Sequence, residues 1–148
     1  MTTRYNPGGG DPDTEISGGW HRDRSNFNNN ATGRSLALKV FYYFYDVHED
    51  GGATMLVPQT HLSDIHPRTL PDAIKDDMPG RVKAAGKAGT ALIFDKRTWH
   101  ARSVNASSEA RRCMTLIYCN FECAPSTVLW PLCLCSITIM LISDIEQC

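Results

Sequence analysis

Hydrophobic positions fall into short runs separated by polar, turn-rich stretches. The densest run is LALKVFYYFYDV, residues 36–47, where Lys39 is the only charge before Asp46. Its aromatic and aliphatic content, bounded by turns, predicts a buried strand rather than a helix. Strand alternation would put Phe41, Tyr43 and Tyr45 on one face and Tyr42 and Phe44 on the other. ATMLVP, residues 53–58, predicts a second strand that stops at a proline. RVKAAGKAGTALIFD, residues 81–95, predicts two short strands around Gly86 and Gly89. Residues 98–104 and RCMTLIYCNF, 112–121, predict two more. Between them, residues 59–80 form a polar stretch with three prolines and one helical turn near Pro71–Asp77. Residues 1–16, rich in Gly, Pro, Asp and Thr, read as a flexible terminus, and Asn26–Gly33 as a turn. Several short strands with turn signals between them, and no internal repeat, argue for an all-β barrel or a double-sheet jelly roll.

The last stretch differs in kind. From Ala124 to Ser143 there are twenty residues without a charge, about the length of a membrane-crossing helix. Pro131, several Ser, Thr and Cys residues and the lack of a flanking Lys or Arg cluster argue against a span. The readings left open are a last core strand or packed extension, a tail anchor, and a terminus from an altered gene model. Membrane association through residues 124–143 is not favoured. The expected division is a flexible segment over 1–16, a β domain over 17–122, and an apolar, Cys-rich tail over 123–148.

Composition narrows the function classes. Hydrophobic residues make up 42% and charged residues 21% of 148, which suits one globular domain. The formal net charge is −1, and no basic stripe points to nucleic acid or an anionic membrane. The N-terminus lacks an apolar secretory core, so a cytoplasmic location is expected, with a tail-anchored membrane protein as the alternative. On that footing the six cysteines, all from Cys113 onward, read as free thiols rather than a disulfide framework. Cys119 and Cys123 are separated by three residues but Cys133 and Cys135 by one, a poor match to paired zinc knuckles.

The candidate chemistry lies in GGWHRDRSNFNNN, residues 18–30. His21 and Asp23 on an extended segment would point the same way, because side chains alternate with period two. A histidine from a neighbouring strand would complete a facial set of two imidazoles and one carboxylate. Such a set occupies one face of Fe(II) and leaves the other positions open. His48, beside two acids in a turn, and His66, before a proline in a polar loop, read as solvent-facing. His61 and His100 remain. Arg111, at the start of a later strand, has the planar fork that binds a carboxylate bidentately, as an oxo-acid cosubstrate would require.

Three pieces together carry a resemblance: His21-x-Asp23, KVFYYFYDVHEDGGATMLVPQTH, and FDKRTWHARSVNASSEAR. Over about residues 18–121 the chain resembles the phytanoyl-CoA dioxygenase-like (PhyH) members of the Fe(II)/2-oxoglutarate oxygenases. In that family ten residues separate the distal histidine from an arginine, and 111 − 100 = 11 puts Arg111 in that place. Asn105 matches a recurrent asparagine of the same turn. The resemblance implies that His100 is the third ligand to Fe(II) and that Arg111 binds 2-oxoglutarate. It also implies a double-stranded β-helix (jelly-roll, cupin-like) barrel using O2. His61 falls where relatives commonly read V-P-G-S-H; here the stretch is VPQTH, and its role reads as structural. Asp23 stands where related halogenases carry a small residue, so hydroxylation or another oxidation is implied rather than halogenation. Trp20 and Trp99 each precede a ligand position and should face the opposite side. Lys39 is left open as a solvated charge or a pocket cation for the cosubstrate.

Relatives carry helices and the first barrel strands ahead of the H-x-D pair. Only twenty residues precede His21 here, so a barrel incomplete at its N-terminus is expected. The resulting reading is a dioxygenase that oxidises a small organic substrate while converting 2-oxoglutarate to succinate and CO2. Its rival is a catalytically incompetent fragment or binding module that retains the metal motif.

Overall fold

The chain passes back and forth between two sheets, the wiring of a jelly roll. The computed structural model describes residues 2–13, 16–23, 37–119 and 138–141. In the first sheet the order is β1 (Thr2–Asn6), β8 (Arg111–Cys119), β3 (Ala37–Tyr43), β6 (Thr90–Asp95) and β9 (Thr138–Leu141). In the second it is β2 (Ile16–His21), β7 (Trp99–Ser103), β4 (Thr54–Val57) and β5 (Val82–Ala84). Of these strands, only β4–β5 and β8–β9 are consecutive in one sheet. All pairings are antiparallel except β6 with β9, which is parallel. The expected mainly β, double-stranded β-helix fold is what the chain adopts.

Two expectations need correction. Residues 2–6, read as part of a flexible terminus, form β1, which pairs with β8 from Thr2↔Thr115 to Asn6↔Arg111. Four strands of the first sheet, β1-β8-β3-β6, thus stand against the four of the second, β2-β7-β4-β5. TTRYN is too short to announce a strand; its ladder partner lies more than a hundred residues away, where no local pattern reaches. The run at 36–47 also ends sooner than predicted. β3 stops at Tyr43, and Phe44 and Tyr45 are exposed beyond it.

Alternation along β3 puts Lys39, Phe41 and Tyr43 on the inner face. Phe41 and Tyr43 pack there with Leu92 and Phe94 of β6, Cys113 of β8, Leu56 of β4 and Ala84 of β5. This core joins the two sheets. On the outer face of the second sheet, Trp20 and Trp99 pack with Met55, Val57, Met78 and Ala101. Residues 59–80 lie over that layer, and Trp20 Nε1 donates to Lys75 O of the short helix α1 (Asp72–Asp76) at 3.0 Å. The two tryptophans thus sit opposite the ligand positions, as alternation required.

Side-chain amides tie β1 to the turn that follows β7. Asn105 Nδ2 donates to Asn6 O at 3.1 Å and to Glu109 O at 2.7 Å, and Asn6 Nδ2 donates to Ser103 O at 3.3 Å. Gly52 permits this packing: its φ is +75°, and a Cβ there would meet the Asn6 amide. Of the tail, residues 138–141 form β9, while the rest of 124–143 and the expected turn at 26–33 lie outside the described residues. No helix among the described residues is long and apolar enough to cross a membrane.

Candidate metal centre

β2 and β7 run antiparallel with His21 directly opposite His100. That register brings the two imidazoles to a centroid separation of 4.3 Å. Asp23 follows two residues after His21, beyond the end of β2, and its backbone is held there by Asp23 N donating to Lys96 O at 3.2 Å. The intervening Arg22 turns away and donates to Ser63 O at 3.0 Å. One ligand atom each from His21, Asp23 and His100 can be chosen so that all three lie within 4.8 Å of one another.

The hydrogen bonds fix which imidazole atoms face inward. His100 Nδ1 lies 2.8 Å from Thr98 O, and His21 Nδ1 lies 3.0 Å from Gly19 O. A carbonyl only accepts, so Nδ1 is the donor in each ring, and a neutral ring then presents its Nε2 lone pair. Asp23 Oδ1 faces both of these atoms, 3.8 Å from His21 Nε2 and 3.7 Å from His100 Nε2. Donors bonded at about 2 Å to one face of an ion lie nearer about 3 Å apart, so a bound cation would draw these three side chains together.

Thr60 secures the entrance to β7. Its Oγ1 donates to Val57 O at 2.6 Å and accepts from Trp99 N at 2.9 Å, next to His100. VPQTH is therefore a clasp for the strand that carries His100, and His61 is no part of the ligand group. His48 is exposed. His66 is partly exposed, and its Nδ1 accepts from Arg68 N in an exposed turn.

Lys39 is the group that sequence reasoning left open. It is neither solvated nor free. Its ammonium donates to Asp23 Oδ2 at 2.8 Å and lies 3.2 Å from His100 Nε2, with only 4% of the residue exposed. Phe41 and Phe94 flank it, at 5.2 and 5.9 Å from the ring centroids. Burial alone would raise the Asp23 carboxyl, but the Lys39 hydrogen bond and charge outweigh it and hold the group below its ordinary value. Burial lowers the Lys39 ammonium below its ordinary value against the opposing pull of Asp23. Burial, with the Lys39 and His21 charges adding to it, pushes His100 down to about 4, so this imidazole is neutral at pH 7. The signal for Lys39 was its place: a lone charge on the Phe41 and Tyr43 face of an apolar strand.

Arg111 is not in this cluster. It opens β8 on the inner face, buried, with one guanidinium nitrogen donating to Thr54 Oγ1 at 2.9 Å. Tyr43 lies beside it; burial pushes that phenol up to about 12 against the pull of Arg111, and its hydroxyl donates to Ala84 O at 2.7 Å. Arg111 Nε and Thr115 Oγ1, four residues apart on the same face of β8, are buried without a protein partner. Unpaired buried donors of this kind are costly unless a ligand meets them, and a carboxylate would. Thr54 and Thr115 carry no sequence signal for this role, since threonine is common in strands.

Comparison with known proteins adds a family and a set of similar folds. The family model described as phytanoyl-CoA dioxygenase (PhyH) matches residues 7–113. No curated protein sequence matches the chain. Among solved structures, AviO1 from Streptomyces viridochromogenes Tue57 is 21% identical with a TM-score of 0.61, over 84% of this chain and 51% of that one. EctD from S. alaskensis, solved with 2-oxoglutarate and 5-hydroxyectoine, is 21% identical with a TM-score of 0.61, over 82% and 43%. The epimerase SnoN, solved with Fe3+, alpha ketoglutarate and nogalamycin RO, is 22% identical with a TM-score of 0.54, over 80% and 47%. The chain spans about half or less of the length of these structures.

Proposed function

The chain belongs to the phytanoyl-CoA dioxygenase (PhyH) family, and from that premise we propose that it is an Fe(II)- and 2-oxoglutarate-dependent oxygenase acting on a small organic molecule. The observation that carries the reading is the convergence of His21 Nε2, Asp23 Oδ1 and His100 Nε2. Two imidazoles and one carboxylate converging on one point form the donor set that suits Fe(II) with open positions. Each imidazole is held by a carbonyl behind it, so the donors are oriented in advance. EctD and SnoN, whose folds this chain shares, were solved with 2-oxoglutarate or alpha ketoglutarate, SnoN also with Fe3+.

The bound iron would supply O2 activation, coupled to oxidative decarboxylation of 2-oxoglutarate to succinate and CO2. The chain's own residues do the rest. Asp23, ionised well below neutral pH, contributes negative charge that offsets part of the ion's charge. His100 is neutral before any ion arrives, so its lone pair needs no proton removed. Arg111 anchors the far carboxylate of the cosubstrate through its planar fork. Phe41, Phe94 and Leu92 line the barrel wall and keep water from the inner face. The carboxylate at position 23 leaves no coordination place for halide, which favours hydroxylation or another oxidation.

The test is anaerobic addition of Fe(II) and 2-oxoglutarate to the purified chain. A broad visible charge-transfer absorption should appear with both present and with neither alone. Its absence from a folded protein that has bound Fe(II) would overturn the reading in favour of a metal-binding module without cosubstrate chemistry.

A further inference from the structure

We propose that Lys39 is an internal cation that a divalent metal must displace, so that metal affinity in this chain is set by competition with its own ammonium group. The inference rests on the reading that His21, Asp23 and His100 hold the metal. Three observations carry it, all geometric.

The first is the shared lone pair. His100 Nδ1 is committed as a donor to Thr98 O, which leaves Nε2 with one lone pair. Lys39 Nζ, 3.2 Å away, has only N–H groups to offer and uses that lone pair. The same electrons cannot accept a proton donor and bind a metal. The second is the shared carboxylate. Lys39 Nζ holds Asp23 Oδ2 at 2.8 Å, while Oδ1 faces the two imidazoles. Release of His100 therefore does not require release of Asp23, because the ammonium can turn off the imidazole and stay on Oδ2. The third is enclosure. Only 6% of the Lys39 side chain is exposed, and Phe41 and Phe94 flank the ammonium. A charge so confined cannot swing into solvent, and it remains beside any ion that binds.

The consequence has a direction. A buried positive charge next to a divalent ion repels it at short range with little screening. The same ammonium also spends part of the Asp23 charge. Against this, Lys39 orients the carboxylate through one hydrogen bond. A full charge at contact distance outweighs one orienting bond, so removing Lys39 should strengthen metal binding. Lys39 is a positioning residue in this account, acting through Asp23 and His100.

The experiment is calorimetric titration of the whole chain with Mn(II), without cosubstrate, in wild type, Lys39→Met, His21→Ala and the double variant. The expected result is at least tenfold tighter binding in Lys39→Met, abolished in both chains that carry His21→Ala. Equal or weaker binding in Lys39→Met, still abolished by His21→Ala, overturns the proposal and leaves the metal site standing. Binding that survives His21→Ala, or none in any chain, overturns the metal reading itself and with it the proposal. A measurement on the unsubstituted chain covers a variant that does not fold. With 13C-labelled lysine, the contact between the Lys39 ε-methylene and the His100 ring should be lost as Zn(II) saturates the site. An unchanged contact at saturation overturns the proposal.

Discussion

His21 and His100 are direct partners across the β2–β7 ladder, with ring centroids 4.3 Å apart. Because the pair is set by strand register, neither ring needs a loop to move before an ion can bridge them. Binding should then stabilise the fold as ligand binding to the native state does. Mn(II) at about a hundred times its Kd should add about 2.7 kcal/mol. For a chain of this size that is a rise in Tm of roughly 5–10 °C. His100→Ala should abolish the rise. Differential scanning calorimetry with and without Mn(II) checks it, and an equal shift in the variant would place the ion elsewhere.

Arg111 is buried with its Nε unpaired. Arg111→Lys keeps the charge but loses the planar fork, so it should still cost cosubstrate affinity. A lost charge-assisted hydrogen bond is worth about 1.5–3 kcal/mol, or roughly tenfold to a hundredfold in the Kd for 2-oxoglutarate. Mn(II) affinity should stay unchanged, because Arg111 is no part of the ligand group. Titration of the Mn(II)-loaded chain with 2-oxoglutarate measures both, and equal cosubstrate affinity in the variant would remove Arg111 from this role.

His100 gives the fold a pH dependence whose sign follows from its burial. Its pKa lies near 4 in the folded chain, against about 6.5 when unfolded. The unfolded chain therefore binds the extra proton first, and stability falls as pH drops from about 6.5 towards 4. Above that window the contribution is fully present; below it no further loss comes from this group. The shift corresponds to a loss on the order of 3 kcal/mol. Urea unfolding of the chain in chelator at pH 7 and pH 4.5 should show it. His100→Gln should show a smaller difference between the two pH values, and an equal difference would assign the dependence to other groups.

How much of this was legible in the sequence depends on how far each signal reaches along the chain. His21 and Asp23 share a face by local alternation, and the runs around β3, β4 and β6–β8 announce themselves by composition. The choice of His100 over His61 was different. Spacing left both open, and only the family resemblance chose, because the β2–β7 register that opposes His21 to His100 is a long-range fact. β1 was missed for the same reason, since TTRYN gains its meaning from Arg111–Thr115. Lys39 was seen as odd but could not be placed. Its partner Asp23 lies sixteen residues away along the chain, and only the packing of the two sheets aims the two at each other.

The clasp VPQTH offers the most local prediction. Gln59 has φ 63°, ψ −7°, the only positive-φ residue other than glycine among the described residues. In the V-P-G-S-H pattern that this stretch resembles, glycine stands in this place. A side chain in the left-handed region costs roughly 1–2 kcal/mol. Glycine avoids that cost but gives back about 0.5–1 kcal/mol through the greater freedom of the unfolded chain. Gln59→Gly should therefore stabilise the fold by up to about 1.5 kcal/mol, whereas Gln59→Val, with a branched Cβ in the same conformation, should destabilise it. Thr60→Val probes the other half of the clasp. It removes the hydroxyl that donates to Val57 O and accepts from Trp99 N. That leaves a buried strand end unsatisfied beside His100, at a cost of about 1–3 kcal/mol. It should also weaken Mn(II) binding, which Gln59→Gly should leave unchanged. Chemical denaturation and Mn(II) titration of the three variants separate backbone strain from ligand support; a loss of Mn(II) affinity in Gln59→Gly, or none in Thr60→Val, would refute that division.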